Sequence, residues 1–382
     1  MTNSYDALIA LVERLVQCEA VALDTEFVWE RTFYARLGLI QIALDDGTTT
    51  LVDAAAMSDL SPLGTVFSDP GIAKVFHDAR QDLAILRRAT GATFKNVFDT
   101  RLAAGFVGLG AKRSLRDLVR KLLSIKLPKT ATRSDWLQRP LTDIQLQYAL
   151  DDVRHLLAVR RDILRQAHDL GRTGWILEEM GAYDDAALYE DRDPRDAYLR
   201  IAGTGRLSDR PRTVLRELAA WREQEAMRRD VPRGHVIQDK TLVYIARRLP
   251  QSTAHVLSTN GLSNSAARRY SDDIVRVVRR ALSVPPEAQA RRVERPPDDV
   301  VHAAHLHLAM AFLIGRGLAS GIDPALYATR ADVSLLIAQN GTGDHPLLTG
   351  WRRRFVGHDL LKVLRGEHAV HIDPETGLPE LA

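Results

Sequence analysis

The chain has 382 residues, enough for two or three domains, and its content of 45% apolar and 26% charged residues is typical of globular proteins. No run of about 18 apolar residues occurs, and no basic-then-apolar leader precedes the first elements. The single cysteine, Cys18, excludes an internal disulfide framework and is typical of a reducing compartment. We therefore expect a cytoplasmic protein without a membrane partner.

The net charge of +3 is unevenly distributed along the chain. Residues 206–282 contain 16 Arg or Lys and 8 Asp or Glu, a local charge of +8, whereas 283–382 carry −2 and 1–205 carry −3. A basic segment beside acidic ones predicts a polyanionic partner such as a nucleic acid. An Arg-rich surface without such a partner is the alternative.

Strand and helix patterns alternate in the first half of the chain. The β-type runs are 20–28, 37–44, 48–53 and 73–78. The "DDG" at Asp45–Gly47 predicts a hairpin between the second and third runs. Helical patterns cover 79–89, about 114–123, and the chain from about 141 onward. Gly91 ends the first of these helices and Pro140 precedes the last, so a mixed α/β domain is predicted.

The β signal nearly vanishes after about residue 205. Amphipathic helical patterns continue to 282, a polar, Pro-rich sequence at 283–299 predicts a linker, and helical patterns resume to about 366. Pro232 and Pro324 lie in similar contexts 92 residues apart. The spacing indicates a divergent repeat of two small helical modules, of which only the first is basic.

Two acids lie in the first β-type run, "LDTEF". Because side chains alternate along a strand, Asp24 and Glu26 point to one face, and Val21, Leu23 and Phe27 point to the other. Neighbouring carboxylates repel each other, and a divalent cation is the natural compensation. An edge strand with two solvated acids is the alternative.

A third acid lies in "FHDARQDLAIL". Asp82 is one turn into the predicted helix, with Leu83 and Leu86 on the packing side. Asp78 lies at the N-cap position, where its carboxylate is expected to accept backbone N–H groups. Asp78 therefore has a structural explanation and Asp82 has none, while His77 is either a ligand or, more often at a strand end, a structural residue.

The segment "LQYALDDVRHLL" at 146–157 is predicted to be helical. At about 100° per residue, Asp152 lies roughly 100° from the centre of the apolar stripe, at its border, and Asp151 lies roughly 155° away. Tyr148 and Asp152 are four residues apart and lie on one flank. The geometry favours Asp152 as the functional acid and Asp151 as a solvated neighbour, without excluding the reverse.

The acids Asp24, Glu26, Asp82 and Asp152 together could hold two divalent cations. Two such ions stabilise the attacking and leaving oxygens in phosphodiester hydrolysis. Tyr148, beside the last aspartate, could orient the attacking water. The sequence therefore predicts a metal-dependent phosphodiesterase.

These motifs resemble those of ribonuclease D, a family of 3′-to-5′ exonucleases in the DEDD superfamily with a tyrosine in the third motif. The similar stretches are "LDTEF", "RTFYARLGLIQIA", "FHDARQDL", "SDWLQRPLT" at 134–142, and "YALDDV". The basic module resembles the HRDC domain that RecQ helicases and ribonuclease D share, and the last module resembles a second, degenerate copy. The resemblance covers nearly the whole chain.

The resemblance implies a multidomain protein of class α/β plus all-α. A ribonuclease-H-like exonuclease domain with a mixed sheet is expected at 1–205. Two small helical HRDC-like domains are expected at 206–285 and 300–382, joined by a linker at 286–299.

The same resemblance implies an exoribonuclease that removes 5′-mononucleotides from RNA 3′ hydroxyl ends with two Mg²⁺ or Mn²⁺ ions. Asp24, Glu26 and Asp152 would hold the nucleophile-side metal, Asp24 would bridge to the second, and Asp82 would support that side, partly through water. Tyr148 would position the attacking hydroxide. The expected substrates are tRNA precursors and other small structured RNAs, gripped chiefly by the basic module, and the expected state is a monomer.

Three alternatives stay open at this point. A DNA-directed exonuclease of the same superfamily would share the carboxylates, but the chain leaves no polymerase-sized remainder. A helicase accessory protein is suggested by the HRDC-like modules, but no P-loop motif occurs and the dipeptide Gly-Lys is absent. A non-catalytic nucleic-acid-binding protein would gain nothing from clustered negative charge.

Overall fold

A computed structural model of the chain describes residues 1–128, 134–259, 261–283, 285 and 300–382. The predicted linker at 286–299 lies outside these residues. Among the helices described, none combines the length and the apolar character that crossing a membrane requires.

A five-stranded sheet with strand order β3-β2-β1-β4-β5 organises the first half of the chain. Its strands are β1 (Ala20–Val28), β2 (Arg36–Ala43), β3 (Thr49–Val52), β4 (Ala73–Phe76) and β5 (Val97–Asp99). β1 pairs in parallel with β4, β4 pairs in parallel with β5, and β2 and β3 are antiparallel around the predicted turn. The four predicted strands and the mixed α/β class are confirmed, whereas the three-residue β5 escaped prediction.

Helices pack on both faces of this sheet. They are α1 (Tyr5–Leu15), α2 (Leu63–Ser68), α3 (Arg80–Thr90), α4 (Thr100–Ala104), α5 (Leu115–Leu123), α6 (Asp143–Arg154), α7 (Leu156–Asp169) and α8 (Thr173–Met180). Successive β1 residues enter different cores: Val21 and Leu23 pack with Leu83 of α3, and Ala22 packs with Val153 of α6. The period-two pattern of β1 therefore places the strand between two helical layers.

The chain divides into two compact units. The first comprises Met1–Phe27, Leu37–Glu190 and Pro296–Ala382, and the second comprises Val28–Arg36 and Asp191–Arg295. The second unit contains α9 (Asp209–Arg229), α10 (Arg233–Val236), α11 (Asp239–Arg248), α12 (Thr253–Leu257) and α13 (Asn264–Ser283). Its apolar core is formed by these helices, and Phe33 packs against it.

The C-terminal segment belongs to the first unit. It contains α14 (Val300–Ser320), α15 (Arg330–Ala338), α16 (Gly350–Arg352), α17 (His358–Leu364), β6 (Val370–Ile372) and β7 (Pro379–Leu381). A π-helical turn at Arg353–Gly357 lies between the last two helices. Short 3₁₀ turns occur at Ala54–Ala56, Gly105–Val107, Gly181–Asp184, Ala186–Leu188, Pro194–Arg200, Thr204–Arg206, Pro324–Leu326 and Pro346–Leu348.

Trp351 connects this segment to the rest of the first unit. The side chain is fully buried, its ring meets Phe106 edge-on at a centroid distance of 4.9 Å, and Nε1 donates to a carboxylate oxygen of Glu179 at 2.9 Å. The backbone N–H of Asp323 donates to the Gly105 carbonyl at 3.0 Å. The segment 300–382 thus shares a core with residues of the first half of the chain. The proposed domain boundaries stay a prediction.

Replacing Trp351 by Ala is expected to destabilise the whole first unit. The substitution leaves a cavity against Phe106 and removes a buried hydrogen bond, so the free energy of unfolding should fall by about 3–5 kcal/mol. Urea denaturation followed by circular dichroism measures the change. Leu318→Ala, at a position of α14 that is 59% exposed, is the control and should change the free energy by less than about 0.5 kcal/mol. Equal effects would contradict the shared core.

Candidate active site

The two acids of β1 lie on one face, as the strand alternation predicts. Carboxylate oxygens of Asp24, Glu26 and Asp152 all lie within 4.8 Å of one another. On the other face of the strand, Val21 and Leu23 are buried in the apolar core. The core therefore fixes the strand and holds the two carboxylates in register with the third, which comes from α6.

α6 begins with a capping box. The Thr142 hydroxyl accepts the Gln145 backbone N–H at 3.3 Å, and the Gln145 side-chain oxygen accepts the Thr142 N–H at 3.0 Å. The helix ends at Arg154, and His155 has φ −107° and ψ −4°, so the predicted helix at 146–157 is two helices, α6 and α7. The helical spacing of Tyr148 and Asp152 lies wholly within α6 and is unaffected by the break.

Asp151 is not the solvated neighbour that the helical arithmetic predicted. Its side chain is only 13% exposed, accepts from the Gln147 amide at 2.8 Å and pairs with Arg154 at 3.0 Å. A helical projection considers only the direction of each side chain. It does not include the long side chains of Gln147 and Arg154, which lie one turn away and cover Asp151. Asp152 nevertheless enters the carboxylate cluster and Asp151 does not, in agreement with the preference for Asp152.

Asp82 lies beside the cluster without joining the group of three. It occupies the first turn of α3, is buried, and accepts a hydrogen bond from the Thr25 hydroxyl. Its negative charge raises the pKa of both Asp24 and Glu26, which indicates close approach to each. Thr25 was missed in the sequence, although its place between the two acids of "LDTEF" was the available signal.

The prediction that Asp78 caps α3 is wrong. The N-cap residue is Ala79, and the backbone N–H groups of Asp78 and Ala79 donate to the two carboxylate oxygens of Asp99 at 3.0 and 3.1 Å. The Asp78 carboxylate pairs instead with Arg101. The carboxylate that accepts these N–H groups therefore comes from β5, the strand that the sequence did not predict, and it is itself the N-cap of α4.

His77 has a structural role. Its Nδ1 lies 3.0 Å from the Thr100 hydroxyl, and its Nε2 lies 3.1 Å from the Arg113 carbonyl oxygen. Both ring nitrogens thus have protein partners, which agrees with the structural interpretation of this histidine.

Burial raises the pKa of Asp24, Glu26, Asp82 and Asp152, and repulsion from neighbouring carboxylates adds to the effect. The pKa of Glu26 rises to about 8, that of Asp82 to about 7 and that of Asp152 to about 6, and the pKa of Asp24 lies well above its usual value. Burial and the Asp152 charge also raise the pKa of Tyr148, so its hydroxyl stays protonated and donates toward Asp152.

The donor set fits divalent metal ions. Carboxylate oxygens are the ligands that Mg²⁺, Mn²⁺ and Ca²⁺ prefer, and a nearby dication favours the ionised state of each acid that burial disfavours. Asp24, Glu26 and Asp152 converge closely enough to share one ion, with Asp82 adjacent.

A buried ion pair anchors the segment that precedes α6. The Arg139 guanidinium donates to the Asp53 carboxylate at 2.8 Å, to the Gly38 carbonyl at 3.0 Å and to the Trp136 carbonyl at 2.9 Å. The Trp136 ring stacks on Tyr148 at a centroid distance of 6.1 Å. A Cβ atom at Gly38 would lie 2.5 Å from the Trp136 carbonyl oxygen, so glycine is required there. The signal for this network was the "SDWLQRPLT" stretch.

Comparisons with known proteins agree with the geometry. A family profile described as 3′-5′ exonuclease matches residues 1–167, and an HRDC domain profile matches residues 212–278. Ribonuclease D of Desulfotalea psychrophila is 39% identical over 360 residues, which cover 93% of this chain and 95% of that protein. Ribonuclease D of Pseudomonas paraeruginosa is 35% identical, over 90% of this chain and 92% of that protein.

A solved structure extends the similarity to the fold. The crystal structure of Escherichia coli RNase D, described as an exoribonuclease involved in structured RNA processing, matches with a TM-score of 0.85 and 28% identity, covering 96% of this chain and 98% of that one. The relatives favour an RNA-directed enzyme over the DNA-directed, helicase-accessory and non-catalytic alternatives. The chain belongs to the ribonuclease D family and is a hydrolytic 3′-to-5′ exoribonuclease.

Proposed function

We propose that the chain hydrolyses RNA by two-metal-ion catalysis, with Asp24, Glu26, Asp82 and Asp152 holding two Mg²⁺ or Mn²⁺ ions and with Tyr148 as the residue that orients the attacking water. Attack on the terminal phosphodiester would release 5′-mononucleotides from the 3′ hydroxyl end. The observation that carries this proposal is the convergence of three half-buried carboxylates, whose oxygens lie within 4.8 Å of one another.

The ions, when bound, would stabilise the attacking and leaving oxygens of the displacement. The residues of the chain do the remaining work. Burial and the charges of Asp82, Asp152 and Glu26 all raise the pKa of Asp24, which suits this carboxylate to be shared between two ions. Tyr148 keeps its proton and is held by Trp136, so its hydroxyl can orient a water without competing as a base.

We propose tRNA precursors and other small structured RNAs as substrates. The E. coli relative is described as processing structured RNA. In the second compact unit, the exposed arginines of α13 fall within about 120° on one helix face by the advance per residue, and the buried residues lie opposite. These arginines are Arg268, Arg269, Arg276, Arg279 and Arg280. Such a stripe suits contacts with RNA phosphates. The monomeric state and the cytoplasmic location stay predictions.

Asp152→Asn is expected to lower the rate of RNA hydrolysis by at least about 100-fold, because it removes one of the converging charges. Asp151→Asn is the matched control, and it should retain most of the activity because its side chain pairs with Gln147 and Arg154 instead. Time courses on 3′- and 5′-labelled RNA with Mg²⁺, Mn²⁺ or EDTA measure the rate, the polarity and the product size together. Internal cleavage, or activity in EDTA, would overturn the proposal.

The metal-free protein should lose stability as pH rises from about 4 to about 8. Glu26 and Asp82 have folded-state pKa values of about 8 and 7 against ordinary values of 4.5 and 3.8, so the native state binds more protons across this window. Thermal unfolding in EDTA and in Mg²⁺ measures the effect, and Mg²⁺ should reduce the decline.

Asp24→Asn serves as the control for this pH dependence. The substitution removes a charge that repels the neighbouring carboxylates, so in EDTA at pH 8 the variant should be more stable than the parent. The gain should be about 1.4 kcal/mol for each unit by which the pKa of a neighbouring carboxyl group falls. Stability that is independent of pH in EDTA, or indifferent to Mg²⁺, would contradict the electrostatic account.

The combined variant Arg268→Gln, Arg269→Gln and Arg280→Gln should bind RNA with a weaker salt dependence. Each lost phosphate contact reduces the slope of log K against log salt by about 0.7 for single-stranded RNA, so three contacts amount to about 2. Filter binding over a range of salt concentrations measures the slope. Neutralising the exposed Arg330, Arg353 and Arg365 removes equal charge outside α13 and should leave the slope nearly unchanged; equal losses would reject α13 as the phosphate-binding face.

A further inference from the structure

Trp29 exposes its ring while its polar edge is satisfied within the protein. It lies in the loop Val28–Arg36, is 53% exposed, and its Nε1 donates to the Phe33 carbonyl at 2.9 Å. A surface tryptophan usually buries its ring and leaves the N–H to water. Here the arrangement is reversed, so what the side chain offers to solvent is apolar π surface.

The loop that carries Trp29 is a preformed scaffold within the second compact unit. Asp230, at the end of α9, accepts the backbone N–H groups of Phe33 and Tyr34 on one carboxylate oxygen, at 3.0 and 3.1 Å. The Phe33 and Tyr34 rings pack edge-on at 4.8 Å, and the Arg233 guanidinium lies over the Phe33 ring at 5.5 Å. The loop is therefore ordered before a ligand binds. Binding does not have to offset the entropy cost of ordering it, and this favours affinity.

The loop carries two exposed basic side chains, Arg31 and Arg36, together with one exposed acid, Glu30. Neither arginine has an ion-pair or hydrogen-bond partner among the described residues. The loop also belongs to the same compact unit as the basic segment 206–282. Aromatic rings interleaved with basic side chains are the arrangement that binds single-stranded nucleic acid, by base stacking together with phosphate contacts.

We infer that Trp29 is a stacking platform for an unpaired base of single-stranded RNA. The inference rests on the exoribonuclease activity and deepens it by naming how the single strand is held. Only Phe27 and Val28 separate Trp29 from Glu26 in the sequence.

The test compares Trp29→Ala with Trp29→Phe. Fluorescence anisotropy with a 5′-labelled, single-stranded oligoadenylate in EDTA reports affinity without hydrolysis. Trp29→Ala should weaken binding by about tenfold, the effect of one lost stacked base, with an unchanged salt slope because no charge is removed. Trp29→Phe loses the Nε1 hydrogen bond but keeps a ring, and should retain most of the affinity. If Trp29→Phe is as weak as Trp29→Ala, the hydrogen bond and not stacking is responsible, and the inference is overturned.

Two controls isolate stacking from general binding. Tyr5→Ala removes an aromatic side chain that is 51% exposed on α1 and should not affect affinity. A blunt RNA duplex offers no unpaired base, so its binding should be the same for the parent and for Trp29→Ala. A loss of duplex binding equal to the loss of single-strand binding would contradict a stacking role.

The scaffold is tested through Asp230. Asp230→Ala removes the acceptor for both loop N–H groups and should weaken single-strand binding although Trp29 is intact, whereas Asp230→Asn retains a side-chain oxygen and should bind nearly as well as the parent. Equal affinity of Asp230→Ala and the parent would show that the scaffold is unnecessary.

Failure of this inference is distinguishable from failure of the proposed catalytic mechanism. Hydrolysis of a nitrophenyl ester of a nucleoside 5′-phosphate needs the carboxylate cluster but offers no neighbouring base. Trp29→Ala should hydrolyse it at the parent rate with Mg²⁺. If the parent fails to hydrolyse the ester, the proposed metal mechanism is wrong. If the parent hydrolyses the ester but binds RNA no more tightly than Trp29→Ala does, the stacking role of Trp29 is wrong.

Discussion

The burial of mutually repelling carboxylates is the constraint on which the rest of the structure depends. Asp24, Glu26 and Asp152 would separate if the backbone allowed it, because burial and repulsion both penalise their charged forms. The backbone does not allow it, since β1 lies between two apolar cores and α6 packs on one of them. Hydrophobic burial elsewhere thus offsets the electrostatic cost of a preorganised site.

Polar networks at the starts of α3 and α6 also hold the carboxylates in place. Asp99 fixes the beginning of α3 and with it Asp82, while the capping box of Thr142 fixes the beginning of α6. The pair of Arg139 and Asp53 ties the preceding segment to the sheet. Asp53 is buried and Arg139 is 27% exposed, so the cost of desolvation offsets part of the attraction between them.

The proposed RNA-binding features and the carboxylate cluster lie in different compact units. The loop Val28–Arg36 follows directly on the strand that carries Glu26, yet it belongs to the unit that contains the arginine face of α13. The C-terminal segment instead returns to the first unit, where Trp351 completes the core. Contiguous sequence and compact structure therefore divide this chain differently.

The sequence by itself determined β1 to β4, the hairpin turn, the shared face of Asp24 and Glu26, and the preference for Asp152 over Asp151, because each follows from the period of one element or from local turn residues. Tertiary structure alone decided the contacts between distant residues. Thr25 and Asp82 are 57 residues apart, and Arg139 and Asp53 are 86 apart. It also decided that the backbone N–H groups ahead of α3 donate to Asp99 and not to Asp78, and that 300–382 shares a core with the first half. Periodicity reports which side of an element is apolar, but partners across the fold depend on register and packing, which no single segment encodes.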